Sequence, residues 1–246
     1  MKILCLNTWG GRLTDPLVTF LKQHDDVDVF CFQEVYNEAH GKDTIWLDTN
    51  LDLLSDLKRA LTNYYCYYDP HLSDYWGLAM FIKKGHVVKE QGEWFVHKHK
   101  GHDYEREKIG HTAKNVQYVT VEDVKGKKIT VINFHGLWNG NGKGDSPERL
   151  EQSQELLDFC KRLSNPYVLC GDFNLLPESE SLLMIERFGL RNLIRENNIS
   201  STRTSLYPKQ GRFADYAFIS DGVELISFKV LPDEVSDHAP LEIEIA

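Results

Sequence analysis

The sequence predicts an α/β protein in which two β-sheets pack against each other and helices cover the outside. Short apolar segments of strand length recur along the 246 residues, whereas amphipathic helical stretches separate only some of them. A doubly wound parallel sheet would need a helix between nearly every pair of strands. No linker rich in Pro, Gly or Ser interrupts the pattern, so we expect a single domain over residues 1–246.

Ten segments have the length and apolar content of strands. In chain order they are Ile3–Leu6, Val27–Phe32, Tyr64–Tyr68, Leu78–Ile82, Val116–Val121, Ile129–Phe134, Tyr167–Cys170, Tyr216–Ile219, Glu224–Leu231 and Leu241–Ile245. Helical periodicity predicts three helices, and they are Leu17–Leu21, Leu51–Leu61 and Pro147–Leu163. The last has the clearest start, because Ser146 is a good N-cap and Pro147 suits the first helical position.

Composition and charge limit the classes of function. The net charge of −9 argues against a protein that simply coats nucleic acid, but it does not exclude a nuclease, since carboxylates around a metal contribute negative charge. No apolar run approaches the roughly 18 residues that a bilayer span needs, and the N-terminus is polar too early for a secretory signal. Five cysteines without a CxxC pair favour reduced thiols. We therefore expect a cytoplasmic protein with no membrane span.

The run Gly171-Asp172-Phe173-Asn174 stands directly after the apolar segment Tyr167–Cys170. In an extended chain alternate side chains point the same way, so Asp172 and Asn174 could converge on one group of substrate atoms. The carboxylate can accept a proton and the amide can donate a hydrogen bond. Alone, the run also fits an ordinary turn, because Gly, Asp and Asn are common turn residues.

Five other strand-like segments adjoin polar residues that can do chemistry, and active sites are commonly built at such positions. These residues are Asn7, Gln33 with Glu34, His135, Asp215, and Asp237 with His238. Taken singly, each fits a turn, a cap or a structural histidine as well as a catalytic role. Six such coincidences in one chain favour a shared site.

The residue types indicate a hard cation and a phosphate ester. Asn7, Glu34 and Asp237 offer oxygen ligands without a thiolate pair or a His-x-x-x-His spacing, so Mg²⁺ or Mn²⁺ fits better than Zn²⁺. Such cations often complete their shell with water and substrate phosphate. His135 and His238 can place positive charge and protons against a phosphate. The sequence therefore predicts metal-assisted hydrolysis of a phosphate ester.

Six motifs together resemble the endonuclease/exonuclease/phosphatase superfamily, the group of deoxyribonuclease I, exonuclease III-type repair enzymes, neutral sphingomyelinases and inositol-polyphosphate 5-phosphatases. The motifs are Leu6-Asn7-Thr8-Trp9, Gln33-Glu34-Val35, Phe134-His135-Gly136, Gly171-Asp172-Phe173-Asn174, Asp215-Tyr216-x-Phe218 and Ser236-Asp237-His238-Ala239-Pro240-Leu241. The resemblance implies a four-layered, deoxyribonuclease I-like α/β sandwich with two central mixed sheets and the site at one edge.

The resemblance also implies roles for the acidic and amide residues. Glu34 is expected to bind the metal, with Asn7 and Asp237 as further ligands or as partners of the ligands. Asp172 is expected to orient and deprotonate the attacking water. Asn174 is expected to hold that water or a phosphate oxygen. Together these roles describe in-line attack by water.

For the histidines, the resemblance implies that His238 stabilises the transition state while Asp215 fixes its tautomer. His135 is expected to contact phosphate or to assist the leaving group. Repair apurinic endonucleases usually carry a Lys where this chain has Tyr36, and tend to carry a Tyr where it has His135. The chain therefore resembles the deoxyribonuclease I and sphingomyelinase-like branches and uncharacterised bacterial members more closely.

The residues that select the substrate are less well marked. In a glycine-rich loop, Lys143 could reach a phosphate and Trp138 could stack on a base or pack on a headgroup. A flexible connection to the next helix explains this loop about equally well. Arg203 and Arg212 form a second candidate rim. The basic, histidine-rich segment Lys83–Lys114 is either a landing surface for phosphate or a solvated hairpin, and we favour the hairpin.

We expect a divalent-metal-dependent hydrolase, with a phosphodiesterase or nuclease ahead of the alternatives and nucleic acid among the candidate substrates. The first alternative is a phosphomonoesterase of a small phosphorylated metabolite, inositide or lipid headgroup. The second is a catalytically silent binding protein, which the intact set of polar residues disfavours. The sequence indicates no protein partner.

Overall fold

The computed structural model describes residues 1–42, 48–102, 112–122 and 126–246. Its strands are β1 (Lys2–Asn7), β2 (Val29–Tyr36), β3 (Tyr64–Leu72), β4 (Trp76–Lys83), β5 (Val87–His97), β6 (Lys114–Glu122), β7 (Lys128–His135), β8 (Tyr167–Asp172), β9 (Arg191–Asn192), β10 (Asp215–Ile219), β11 (Leu225–Val230) and β12 (Leu241–Ile245). Its α-helices are α1 (Thr14–Gln23), α2 (Leu53–Ala60), α3 (Pro147–Cys160), α4 (Glu180–Arg187) and α5 (Leu193–Glu196).

The strands form two six-stranded mixed sheets, each with one parallel pair near its centre. The first sheet has the order β11-β12-β1-β2-β4-β3 and the second the order β5-β6-β7-β8-β10-β9. β1 runs parallel to β2, and β7 runs parallel to β8, while the remaining neighbours are antiparallel. Parallel strands end at the same edge of a sheet, so the last residues of these four strands can share one edge of the sandwich. The predicted pair of mixed sheets is confirmed.

The central strands are apolar on both faces because each face packs against a hydrophobic core. In β1 and β2, Cys5 and Cys31 belong to the core that both sheets share, whereas Leu4 and Phe30 belong to a second core beneath helices. Helices α1 and α2 contribute buried residues to that second core, and α3, α4 and α5 contribute to the larger one. The result is the expected four-layered α/β sandwich.

A buried polar link joins the two sheets below the edge that carries the polar strand ends. The Gln33 amide donates to Oδ1 of Asn133 at 2.6 Å. The Asn133 amide in turn donates to the carbonyl oxygen of Phe32 at 3.0 Å. Because β2 and β7 lie in different sheets, these two bonds fix the position of one sheet against the other. Glu34 and His135 lie just beyond this link along their strands.

All ten predicted strands are present, but β5, β9, α4 and α5 were missed. The exposed edge strand β5 carries Lys89, Glu90, Gln91 and Glu93 between its ends, and this polarity hides it from an apolar pattern. Its pairing with β6 gives the hairpin favoured for Lys83–Lys114, of which residues 103–111 lie outside the described part. Ser146 caps α3 as predicted, its hydroxyl accepting from the Arg149 N–H.

All five cysteines are free, and four of them are buried, as the composition indicated. Within the described ranges, no helix is both long enough and apolar enough to cross a membrane. The single domain over residues 1–246 stays a prediction.

Candidate active site

Side chains from both sheets meet at one edge of the sandwich. Asn7 ends β1, His135 ends β7 and Asp172 ends β8. In the antiparallel register of β8 and β10, Asp215 lies opposite Asp172. The structure brings these residues together with Glu34 from β2, Asn174, and the Asp237–His238 pair that precedes β12.

Asp172 lies at the centre of this group and is 1% exposed. Its Oδ1 accepts from the backbone N–H of Asn174 at 2.8 Å, and its Oδ2 accepts from the Asn7 amide at 2.9 Å. Nε2 of His238 lies 3.7 Å from Oδ2, and Nε2 of His135 lies 3.9 Å from it. Two hydrogen bonds therefore fix this carboxylate between two imidazoles, with further lone pairs available to a water molecule.

Two glycines permit the close approach that this geometry needs. A Cβ on Gly171 would lie 1.9 Å from the carbonyl oxygen of Phe134, and one on Gly136 would lie 2.3 Å from that of Phe173. Asn174 follows at φ 55°, a left-handed conformation that Asn tolerates better than most residues, and its amide donates to the Gly136 carbonyl at 3.3 Å. The extended conformation expected for this run was therefore wrong beyond the end of β8.

Glu34 lies at a bulge of β2. Its φ is 60°, and the pairing of β2 with β4 shifts register between Phe32 and Val35. Bulges commonly re-aim a side chain beside an active site. The residues of β2 up to Phe32 pair regularly with β4. The bulge that follows turns the Glu34 side chain toward Asn7 and the site.

The electrostatics around Glu34 favour its protonated form when no cation is bound. Burial raises the pKa of Glu34 to about 7, and the carboxylates of Asp172 and Asp237 act in the same direction. The hydrogen bond from Asn7 and the charge of Lys114 oppose this rise. The mutual repulsion of three carboxylates is the feature that a bound cation would relieve.

The Asn7 side chain has a defined orientation. Its Oδ1 accepts from the Trp9 N–H at 2.9 Å, so its amide nitrogen faces Glu34 at 3.1 Å and Asp172 at 2.9 Å. In this arrangement Asn7 is a hydrogen-bond partner of the two carboxylates. Of the two roles that the resemblance implied, this geometry favours a partner of the ligands.

His238 and Asp215 form a buried dyad. Nδ1 of His238 lies 2.8 Å and 2.9 Å from the two carboxylate oxygens of Asp215. Burial raises the pKa of Asp215 to about 7, and burial, with the charge of Arg203, lowers the pKa of His238 to about 3. The ring is therefore neutral at neutral pH, with its Nδ1–H donated to Asp215 and its Nε2 directed at the other site carboxylates.

Asp237 is held by one ion pair and leaves one oxygen without a partner. Nη1 of Arg203 donates to Oδ2 of Asp237 at 2.8 Å. Oδ1 lies 3.6 Å from Nε2 of His238 and finds no hydrogen-bond partner among the described residues, although it is buried. A buried carboxylate oxygen without a partner is costly unless a ligand or a cation completes its surroundings.

The donor set fits a hard divalent cation. Glu34, Asp172 and Asp237 supply carboxylate oxygens, the ligands that Mg²⁺ and Mn²⁺ prefer. The unpartnered Oδ1 of Asp237 and the raised pKa of Glu34 belong to carboxylates that a bound cation would stabilise. Two described groups have ligand atoms within 4.8 Å of one another, and they are Glu34 with His135 and Asp172, and Asp172 with Asp215 and His238. Asp172 belongs to both groups, although the sequence did not place it in the metal set.

His135 lies against a wall that the sequence did not predict. Its ring contacts His71 and Trp76 at centroid distances of 5.9 Å and 5.7 Å. Lys114 completes the wall, with Nζ 3.4 Å from Nε2 of His71 and 4.8 Å from the Trp76 ring. Burial lowers the pKa of His135 well below its ordinary value. The carboxylates nearest its Nε2 are those of Glu34 at 3.8 Å and Asp172 at 3.9 Å.

Two of the four predicted substrate-binding residues belong to the site. Lys143 and Arg203 are both 8% exposed and lie over the Tyr207 ring at 4.6 Å and 4.3 Å. Arg212 instead donates to the carbonyl oxygens of Arg203 and Thr204 at 3.0 Å and 2.7 Å, so its described bonds support the backbone.

Trp138, the fourth of these residues, is half-buried in the loop after β7. The same loop carries Lys143, whose Nζ donates to the Phe213 carbonyl at 2.7 Å. Burial lowers the pKa of Lys143 to about 8, and Arg203 acts in the same direction. A buried ammonium group close to the site carboxylates is suited to an anionic ligand.

A sequence model described as the endonuclease/exonuclease/phosphatase family matches residues 4–238. No curated protein matches the chain at a significant level.

Solved structures with the same fold share little sequence with this chain. A functionally unknown conserved protein from Enterococcus faecalis V583 is 19% identical, with a TM-score of 0.77 over 100% of this chain and 99% of that one. A mannosyl-6-phosphatase from Bacteroides thetaiotaomicron is 18% identical, with a TM-score of 0.75 over 100% and 99%. The human Nocturnin catalytic domain with bound sulfate is 17% identical, with a TM-score of 0.65 over 100% and 93%.

Proposed function

The chain belongs to the endonuclease/exonuclease/phosphatase family and is a phosphoesterase, and we propose that it hydrolyses a phosphodiester by metal-assisted, in-line attack of water. The observation that supports this most strongly is the position of Asp172. Its carboxylate is held by two hydrogen bonds, lies between the Nε2 atoms of two histidines, and adjoins two further carboxylates. Few structural roles need so many ionisable groups in one buried place.

Glu34 and Asp237 are the residues proposed to hold a divalent cation, Mg²⁺ or Mn²⁺, with Asn7 orienting Glu34 through its amide. When bound there, such a cation supplies charge stabilisation to the phosphoryl oxygens. Asp172 lies close enough to raise the pKa of Glu34, so it shares the same electrostatic environment.

Asp172 is proposed to accept a proton from the attacking water. Its two oxygens are already fixed by the Asn174 N–H and the Asn7 amide, so its remaining lone pairs have a defined direction. Water attacks phosphorus and its proton passes to Asp172. The bond from phosphorus to the leaving oxygen breaks, and that oxygen departs with the bonding electron pair and is protonated from solvent. The Asn174 side-chain amide, which donates to the Gly136 carbonyl, is proposed to help hold the water or a phosphoryl oxygen.

The His238–Asp215 dyad is proposed to stabilise the negative charge that develops on the phosphoryl oxygens. An anionic phosphate raises the pKa of a neighbouring imidazole, and Asp215 favours the imidazolium through the bond to Nδ1. Protonated His238 can then donate from Nε2 to the phosphoryl group. His135 is proposed to contact the phosphate or the leaving oxygen, since its Nε2 faces Glu34 and Asp172.

A phosphomonoester is the second candidate substrate. Lys114 and Lys143 place two buried ammonium groups near the site, and neither has a carboxylate within 4.0 Å among the described residues. Such charges suit a dianionic terminal phosphate at least as well as a diester. One solved protein of this fold is a mannosyl-6-phosphatase, so the fold accommodates a sugar monophosphate.

A substrate panel tests the proposal and separates the two classes. The wild-type protein is assayed on plasmid DNA, RNA, bis-p-nitrophenyl phosphate, p-nitrophenyl phosphate and sphingomyelin, with Mg²⁺ or Mn²⁺ and again with EDTA. We expect turnover that EDTA abolishes and that is faster on diesters. Preference for p-nitrophenyl phosphate would identify the monoester class instead.

A histidine pair provides the matched control. His238→Ala should lower turnover by about 10²- to 10⁴-fold, because a positioned acid–base group contributes that much. The exposed residue His40 lies outside the site, so His40→Ala should retain full activity. Turnover without any divalent cation, or full activity of His238→Ala, would contradict the mechanism.

A further inference from the structure

Lys114 is a buried cation at the same edge of the second sheet as the catalytic residues. It is the first residue of β6, and the antiparallel register that pairs Val116 with Phe134 places it beside the end of β7. The residue is 2% exposed. Burial lowers the pKa of Lys114 to about 8, against the opposing effects of Glu34 and Asp172.

The ammonium group of Lys114 has few partners for its depth of burial. Among the described residues, its one hydrogen-bond partner is Nε2 of His71, at the long distance of 3.4 Å. No described carboxylate lies within 4.0 Å of it. An ammonium group carries three donors, and burying it without partners for them is costly. Other buried cations of this site are better satisfied, since Arg203 has Asp237 at 2.8 Å and Lys143 has a carbonyl oxygen at 2.7 Å.

The turn between β3 and β4 holds Lys114 in this position. His71 is the residue before the last one of β3 and Trp76 is the first residue of β4, and their rings meet edge to face at 4.8 Å. Nε2 of His71 accepts from Lys114, and the Trp76 ring lies 4.8 Å from Nζ. Burial and the charge of Lys114 lower the pKa of His71 well below its ordinary value, so this ring is neutral and can accept. Two Lys114 donors remain for a ligand.

We propose that Lys114 binds a phosphoryl oxygen of the substrate, on the side of Asp172 where His135 lies, with His71 and Trp76 as the residues that position its ammonium group. Lys143 and Arg203 lie near Asp215 and Asp237. Cationic side chains are therefore present near that pair of carboxylates as well as near His135. This inference rests on the proposed function, and it adds a residue that recognises the phosphate.

Binding of inorganic phosphate tests this role independently of turnover. The affinity of the Mg²⁺-loaded protein for inorganic phosphate is measured by calorimetry for wild type, Lys114→Met and Lys114→Gln, together with kcat/KM on the best substrate of the panel. We expect both variants to lose about 10- to 100-fold in phosphate affinity and in kcat/KM, the usual effect of removing a charge-assisted hydrogen bond. Lys89→Met is the matched control, because Lys89 pairs with Glu122 on the exposed side of neighbouring β5.

A merely structural role makes a different prediction. If Lys114 only balances the charges of Glu34 and Asp172, its removal should strengthen Mg²⁺ binding and leave phosphate affinity unchanged. Phosphate affinity within twofold of wild type in either folded variant, or a wild-type protein that binds no phosphate, would overturn the proposal. Inactivity of the wild type across the panel would refute the proposed function, while the phosphate titration would still report on Lys114.

Discussion

Replacing Glu34 by Gln should stabilise the metal-free protein and make its stability less dependent on pH. Gln has the shape of a protonated Glu and can still accept from the Asn7 amide through its oxygen. The rise in the pKa of Glu34 from 4.5 to about 7 means that the folded protein binds this proton more tightly than the unfolded chain. The associated stability is therefore present below about pH 4.5 and is lost as the pH rises to about 7.

The size of the effect follows from the same shift. At about 1.4 kcal/mol per pH unit, the loss at neutral pH is on the order of 3 kcal/mol. For a chain of this length, that corresponds to a melting temperature about 6–12 °C higher for Glu34→Gln than for wild type in EDTA at about pH 8. Most of this difference should vanish at about pH 5, where the wild-type carboxyl is largely protonated.

Thermal denaturation in EDTA across this pH range measures the difference, with Glu155→Gln on the exposed face of α3 as the control. Added Mg²⁺ should raise the melting temperature of wild type more than that of Glu34→Gln, because a ligand that binds the folded state stabilises it. A variant no more stable than wild type at about pH 8, or a difference that does not change with pH, would refute the electrostatic account of Glu34.

Three further substitutions test other parts of the site. Asp215→Asn should lower kcat by about 10²- to 10⁴-fold, because an amide can donate to Nδ1 of His238 and impose the wrong tautomer. The control Asp221→Asn, on the exposed turn after β10, should keep the kcat of wild type. Gly171→Ala should prevent stable folding, since its Cβ would lie 1.9 Å from a carbonyl oxygen, whereas Gly144→Ala, which meets nothing within 4 Å, should melt like wild type. Arg149 donates to three carbonyl oxygens of the loop that carries Lys143, so Arg149→Met should lower the free energy of unfolding by about 3 kcal/mol in urea titrations and raise KM. An unchanged KM would show that this loop does not shape the site.

The sheets, and the placement of the acidic residues and histidines at strand ends, could be predicted from the sequence because both depend on local signals. Central strands that are buried on both faces appear in the sequence as continuous apolar runs. The polar residue that ends such a run therefore marks the end of the strand. The exposed strand β5 lacks this signal, because its middle positions are charged or polar and face solvent.

The wall of His71, Trp76 and Lys114 could not be found from sequence for a different reason. These residues lie on three strands and form no motif, and their proximity arises only when the β3–β4 turn closes over the start of β6. Lys114 stands at the end of a basic segment that composition assigns to solvent. Its burial is a tertiary effect, as is the use of Arg212 to support the backbone.

The most direct test of the central claim compares Asp172→Asn with wild type on the best phosphate ester of the panel, at saturating Mg²⁺. The amide keeps the size of the side chain but cannot accept a proton from water, so we expect kcat to fall by about 10²- to 10⁴-fold at an unchanged melting temperature or a higher one. Asp158→Asn, on the solvent side of α3, should retain wild-type activity. An Asp172→Asn protein that folds and turns over within tenfold of wild type would contradict the assignment of Asp172 as the residue that activates water.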